Sequence, residues 1–259
     1  MTQLRYGSIV RSLWSLRGAP AVEELKPTRT VSYRAHRPGI APLADIYEPV
    51  RPIGTSVLLV HGGGFVIGSR DMKPMRFLAA KLVAEGLTVC AVDYRMIFRG
   101  GRLDEAVADV RDALAFWRAH APDASRIAMV GLSAGASIAL LAADAALHRL
   151  VLCFGLYDMD HLQGPLASLL PRMLFATSDR AVWRERSPGA AHPAVPTLLL
   201  HGDDDGLVPV EQARRLAAAR EVLGLPTRLV VYPGAPHGFF NLEGSVAGAA
   251  TAEIVDYVR

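Results

Sequence analysis

The chain has 259 residues, of which 51% are hydrophobic and 20% charged, and its 28 basic and 25 acidic residues leave a formal net charge of +3. This is a globular composition with enough length for a sizeable core, not that of a disordered chain. The small arginine excess forms no basic run or basic–aromatic stripe, which excludes a nucleic-acid partner. No apolar run approaches the roughly 20 residues of a membrane span, so no stable membrane insertion is expected.

The N-terminal stretch MTQLRYGSIVRSLWSLRG places Tyr6, Ile9, Val10, Leu13 and Trp14 on one face at helical spacing. Arginine and serine interrupt any signal-peptide core, and the expected compartment is the cytoplasm. Residues 1–28 are predicted to hold a short helix that packs on the domain, covers a binding site or touches a membrane surface. Next come two strands, 30–35 and 43–48, joined by a turn around Pro38-Gly39. A continuous apolar strand follows at 56–61. A helix over 71–85 has Pro74 in its first turn and Gly86 as its stop. Then a strand at 87–94 leads to an amphipathic helix at 103–120, which ends before Pro122. A strand at 126–131 runs into an alanine-rich helix at 134–147. Strands at 149–155 and 196–202 flank a long irregular stretch. A helix at 210–224, a strand at 227–233 and a final helix at 246–258 complete the chain.

Strands alternate with helices, and the inner strands are apolar on both faces. The expected fold class is therefore α/β: a mostly parallel sheet covered by helices on both sides, in one domain spanning 1–259. Residues 157–195 are too long for an ordinary connection and carry Leu162, Leu166, Leu169, Leu170, Met173, Leu174, Phe175 and Trp183. They are read as a small helical insertion or lid. Cys90 and Cys153 each lie in an apolar strand and are expected to be buried free thiols.

The stretch VGLSAGASIAL (130–140) sets a serine between two glycines, after a strand and before a helix. A G-x-S-x-G pattern alone arises by chance roughly 0.1 times in a chain of this composition, so its setting carries the weight. A strand-to-helix junction forces Ser133 onto a sharp turn, with the helix N-terminus behind it where an oxyanion would form. A serine hydroxyl needs a base to become a useful nucleophile. His237, in the loop segment YPGAPHGFFN after the last strand, is the best-placed base. His201, which ends a strand just before GDDD, is its closest rival. A third member, an acid that orients the imidazole, is expected from HGDDDGLVP. Spacing alone does not choose among Asp203, Asp204 and Asp205. A calcium loop there would lack the alternating ligands and distal glutamate, and no metal site is expected. The segment LLVHGGGFVIGS (58–69) follows a strand with three glycines. Their backbone can approach a ligand closely, which makes the N–H groups of Gly63 and Gly64, with that of Ala134, the candidate oxyanion donors.

These motifs, in this order, resemble the α/β-hydrolase superfamily, and more narrowly its hormone-sensitive-lipase-like esterases with HGGG and GxSAG signatures. HGGGF (61–65), DYR (93–95), SRIAMVGLSAG (125–135), HGDDDGLVP (201–209) and PHGF (236–239) carry the likeness from about Ser56 to Tyr257. The resemblance implies that the acid of G-x-x-D-x-x-V-P is Asp205. It also implies a cofactor-free serine carboxylesterase acting on a small-molecule ester. Leu132 stands where the family commonly has Asp, Ala136 replaces a common second Gly, and the proline-rich stretch after DYR is absent. Carbohydrate deacetylases and kynurenine-formamidase-like amidases therefore remain alternatives on the same residues. A non-catalytic binder is disfavoured because every triad residue type is present. Phe65, Leu132 and Phe239 are the expected substrate-binding side chains. A short cover predicts a preference for short acyl chains.

Overall fold

A computed structural model describes residues 25–35, 39–162, 168–242 and 244–259. Most of the predicted N-terminal helix, residues 1–24, and residues 163–167 of the insertion, including Leu166, lie outside the described residues.

The described residues form a sheet of β1 (Arg29–Ser32), β2 (Leu43–Tyr47), β3 (Ser56–Val60), β4 (Thr88–Val92), β5 (Ile127–Leu132), β6 (Arg149–Cys153), β7 (Thr197–Gly202) and β8 (Thr227–Tyr232). Their order across the sheet is β1-β2-β4-β3-β5-β6-β7-β8. The β1–β2 and β2–β4 pairs are antiparallel and all the others are parallel. The helices are α1 (Lys73–Ala84), α2 (Leu103–His120), α3 (Ala134–Ala142), α4 (Leu169–Phe175), α5 (Arg180–Arg186), α6 (Glu211–Val222) and α7 (Ser245–Val258).

Successive strand side chains point to opposite faces, so a strand apolar at every position needs cover on both sides. Leu58 and Val60 of β3, Cys90 and Val92 of β4, and Ile127 and Met129 of β5 join one core, with Val110 and Trp117 of α2 and Ile138 of α3. The alternate residues, Val57, Leu59, Val89, Ala91, Ala128 and Val130, join the other core, with Leu78 and Leu82 of α1 and Ile254 and Val258 of α7. Both cysteines are buried and free. Among the described residues no helix is long and apolar enough to cross a membrane.

Helix α2 shows why these segments fold as they do. Leu103, Val107, Val110, Leu114 and Trp117 recur at helical spacing and are buried, while Asp104 and Glu105 sit in the first turn and Arg118 and His120 in the last. The Trp117 indole N–H donates to Ser56 Oγ at 3.1 Å, which ties the helix to the start of β3.

The helix after the serine is shorter than its alanine content suggests. It ends at Ala142 instead of running to 147, because Ala143 leaves helical geometry at ψ 143°. Asp144 then accepts the Ala146 N–H at 3.0 Å and pairs with Arg118 of α2. A local side-chain turn and a cross-helix ion pair have outcompeted propensity. The stretch 157–195 contains α4, α5 and a short 3-10 turn at Pro188–Ala190, with Leu174, Phe175 and Trp183 buried in the first core.

From β3 the chain steps outward to β4, then returns across β3 to β5. The strand order therefore reverses between β3 and β5. In open α/β sheets the crevice at the carboxyl ends of such strands is where ligands bind. The segments after β3 and β5 are HGGGF and the Ser133 turn.

Candidate active site

Ser133 lies between the last residue of β5 and the first of α3, at φ 53° and ψ −118°. Residues other than glycine rarely hold such a conformation, and the strain costs on the order of 1–3 kcal/mol. The Ser133 N–H donates to Cys153 O at 2.9 Å and its carbonyl accepts the Ala136 N–H at 2.9 Å, so both neighbours pin the turn. Gly135 explains the second glycine of the motif. A Cβ there would stand 2.3 Å from the carbonyl oxygens of Val60 and His61, so only glycine lets α3 start this close to β3.

Ser133 Oγ is 2.8 Å from His237 Nε2. The other ring nitrogen, Nδ1, is 2.7 Å from Asp205 Oδ2. The partners assign the tautomer: Nδ1–H donates to the carboxylate, and Nε2 accepts the serine hydroxyl. Asp205 Oδ1 accepts the N–H groups of Leu207 at 3.0 Å and Val208 at 2.8 Å. Burial would raise the Asp205 carboxyl's pKa, but the charge of His237 and hydrogen bonds from His201 and His237 outweigh it and hold the group well below the usual carboxylate range. Asp203 is directed elsewhere, its Oδ1 accepting the Gly234 N–H at 2.6 Å.

The glycine loop sits against this turn. Gly63 has φ 121°, and a Cβ there would stand 1.8 Å from Ile67 O. The same turn is closed by the Val66 and Ile67 N–H groups, which donate to Gly63 O at 3.1 and 3.0 Å. Gly64, at φ 62°, has open space where a side chain would be. Ala134 is the first residue of α3, so its N–H has no acceptor within the helix.

His61 begins the loop and props it. It is fully buried, stacks on Tyr94 with centroids 4.2 Å apart, and donates from Nδ1 to Gly62 O at 2.7 Å. Burial lowers its pKa, against the opposing pull of the Gly62 hydrogen bond and Asp93. The Tyr94 hydroxyl donates to His61 O at 2.8 Å. Asp93 accepts the Arg70 N–H at 2.7 Å and pairs with the Arg70 guanidinium, which also reaches Asp45 at 3.0 Å. Arg95 binds Asp109 of α2. The DYR motif thus fastens both ends of the glycine loop, a role that its sequence alone does not reveal.

The three expected substrate-binding side chains do not meet on one wall. Phe65 is buried in the core shared with α2 and α3. Leu132 and Phe239 are buried in the opposite core, and Phe239 packs on Tyr232, Phe240 and Phe154. Phe154 is the neighbour that sequence reading missed. It follows β6 at φ 41°, and its ring meets the His237 ring edge-on at 5.1 Å. Nothing in the local string CFG distinguishes it from any other apolar residue at a strand end. Among the described residues, the exposed large apolar side chains on the loops after β3, β4 and β7 are Ile67, Phe98 and Leu207.

A strained serine turn at a strand-order reversal, on a mostly parallel sheet with helices on both faces, fits the α/β-hydrolase fold. A family model described as BD-FAE matches residues 44–153, which include the glycine loop and the Ser133 turn but neither Asp205 nor His237. Esterase LipC of Mycobacterium tuberculosis is 30% identical over 85% of this chain, which spans 62% of that protein's length. Thermogutta terrifontis esterase 2, in its sarin-phosphonylated form, superposes with a TM-score of 0.74 at 24% identity, over 92% of this chain and 94% of that one. The esterase of Pyrobaculum calidifontis superposes with a TM-score of 0.72 at 22% identity, over 99% and 90%. The chain has the α/β-hydrolase fold.

Proposed function

We propose that the protein is a serine carboxylesterase with Ser133 as nucleophile, His237 as base and Asp205 as the acid that orients it. The observation that carries this reading is the unbroken line from Ser133 Oγ through His237 to Asp205, at 2.8 and 2.7 Å. Likeness to an esterase, LipC, supports the ester as the substrate class.

In the first half-reaction Ser133 Oγ attacks the ester carbonyl while His237 Nε2 takes its proton. Asp205 holds the Nδ1–H and stabilises the imidazolium that forms. The N–H groups of Gly63, Gly64 and Ala134 receive the developing oxyanion, and because they are fixed in place beforehand they need no reorganisation. The alcohol leaves with the proton from His237. Water, deprotonated by the same imidazole, then releases the acid and frees Ser133. This chemistry needs neither cofactor nor metal.

The exposed Ile67, Phe98 and Leu207, on the loops after β3, β4 and β7, are the apolar side chains proposed to meet an acyl chain. The proposed preference is for short acyl esters of small molecules. Fluorophosphonate labelling combined with p-nitrophenyl ester hydrolysis tests the reading. Wild type is expected to label and turn over, and Ser133→Ala to do neither. Ester hydrolysis that survives Ser133→Ala would place the chemistry elsewhere.

A further inference from the structure

We propose that His201 is a positioning residue, a second histidine that acts through the carboxylate of Asp205 on the base. The inference rests on the triad reading given above. His201 closes β7 and is fully buried. Its Nε2 stands 2.8 Å from Val208 O and 3.2 Å from Asp205 Oδ2. Both are oxygens that only accept, so Nε2 carries a hydrogen. Its Nδ1 is buried without a hydrogen-bond partner. A proton there would be an unpaired buried donor, which is costly. The ring is therefore neutral, protonated on Nε2, and cannot serve as the base.

In this state His201 completes the shell of the carboxylate. Asp205 Oδ1 receives the N–H groups of Leu207 and Val208, Oδ2 receives His237 Nδ1–H, and His201 Nε2, whose hydrogen goes to Val208 O, stands 3.2 Å from Oδ2 with its N–H dipole beside it. A carboxylate has about four acceptor sites; three are hydrogen-bonded here, and the His201 N–H dipole lies against the fourth. Val208 is held at both ends, its N–H on Asp205 and its carbonyl on His201. The acid can neither rotate nor leave the imidazole without breaking a buried contact.

The His201 N–H dipole, 3.2 Å away, also stabilises charge on the oxygen that His237 uses. Among the described residues, Asp205 faces the His237 ring and His201 lies behind that carboxylate. Ser133 faces the opposite nitrogen, and the neighbour across the ring edge, Phe154, does not titrate. Removing the His201 N–H leaves more charge on Oδ2, which favours the protonated imidazole. The acid limb of kcat/KM then moves to higher pH.

The experiment compares His201→Leu, which removes the donor, with His201→Gln, whose amide N–H can reach the same oxygens. His201→Leu is expected to lower kcat about tenfold through a looser base, and to raise the midpoint of the acid limb by about half a unit to one unit. KM should stay within about twofold, and His201→Gln should restore most of both effects. A His201→Leu enzyme with the wild-type rate and pH profile overturns the proposal. Nitrogen-15 histidine spectra of the wild-type protein keep the test open if His201→Leu does not fold. They should show His201 protonated on Nε2 alone throughout the active pH range, and an Nδ1–H form or a titrating ring would overturn the assignment. These spectra do not depend on turnover, so they separate failure of this proposal from failure of the triad reading, which Ser133→Ala tests.

Discussion

Phe154 sets its ring edge-on to the imidazole of His237, with centroids 5.1 Å apart and planes 70° apart. The same ring meets Phe239 at 5.0 Å and Phe240 at 6.0 Å, and the Phe154 N–H donates to Leu200 O at 2.7 Å. The His237 loop therefore rests on an aromatic cluster rooted in the core beneath the sheet. Phe154→Ala empties that support. A stability loss of about 3–5 kcal/mol is expected from a buried Phe-to-Ala change, together with a fall in kcat. Denaturant titration and steady-state kinetics check both, and a variant with wild-type stability and rate would refute the supporting role.

Ser133→Ala should remove turnover while keeping the fold. The side chain contributes little packing in its strained turn, whereas nucleophile and base act as a unit. The expected loss in kcat is on the order of 10⁴-fold or more. Circular dichroism and a thermal scan of the variant establish that folding is intact.

Of the three aspartates in the HGDDD turn, Asp203 and Asp205 should behave differently. Asp205→Asn replaces the acceptor of His237 Nδ1–H with a group that can present a donor, and a mis-set imidazole costs about 10⁴-fold in a triad. Asp203 only caps the Gly234 N–H, which the carbonyl of an asparagine can still accept. Asp203→Asn should stay within about tenfold of wild type. A reversal of this order, read in kcat/KM, would reassign the acid by two residues.

The depressed pKa of Asp205 also ties stability to pH. Its cause is the excess of the His237 charge and the histidine hydrogen bonds over the burial penalty. A carboxyl whose folded pKa lies below its unfolded value, about 3.9, stabilises the fold fully above that value. The contribution is lost as pH falls toward the folded pKa. The stability difference between wild type and Asp205→Asn should therefore be widest above about pH 4 and narrow steadily below it. Urea titrations at several acidic pH values measure the difference. A gap that widened on acidification would contradict the sign.

Acyl length should matter over a short range. Each CH₂ buried gains about 0.8 kcal/mol, or about fourfold in kcat/KM, until the apolar surface is used up. On a p-nitrophenyl series the expected profile climbs over the first few carbons and drops steeply for long chains. A steady rise into long-chain esters would mark a lipid substrate instead.

Much of this was legible because the signals are local. The alternation of doubly apolar strands with amphipathic helices reads directly as a covered parallel sheet, since a strand apolar at every position must be packed on both faces. Helix α2 runs from 103 to 120 as its periodicity predicts. Ser133 and the glycine loop stand out because a strand-to-helix junction and a close backbone approach both demand glycines at fixed spacing. The early end of α3 was not legible, because it depends on Asp144 meeting Arg118 on a neighbouring helix.

The sequence by itself determined the layers, the strand ends that carry the chemistry and the residue types gathered there. Only the tertiary structure decided which atoms meet. Asp205 reaches His237 across 32 residues while Asp203 turns to Gly234. His201, the rival base by position, sits beside the carboxylate at 3.2 Å and bonds Val208 O. Phe154 lies against the imidazole, while Phe239, an expected wall of the pocket, is buried behind it. The physical reason is that a side chain's direction in a loop follows the local φ and ψ and the neighbours available to it. In this fold those neighbours come from strands brought together by sheet order and not by chain order.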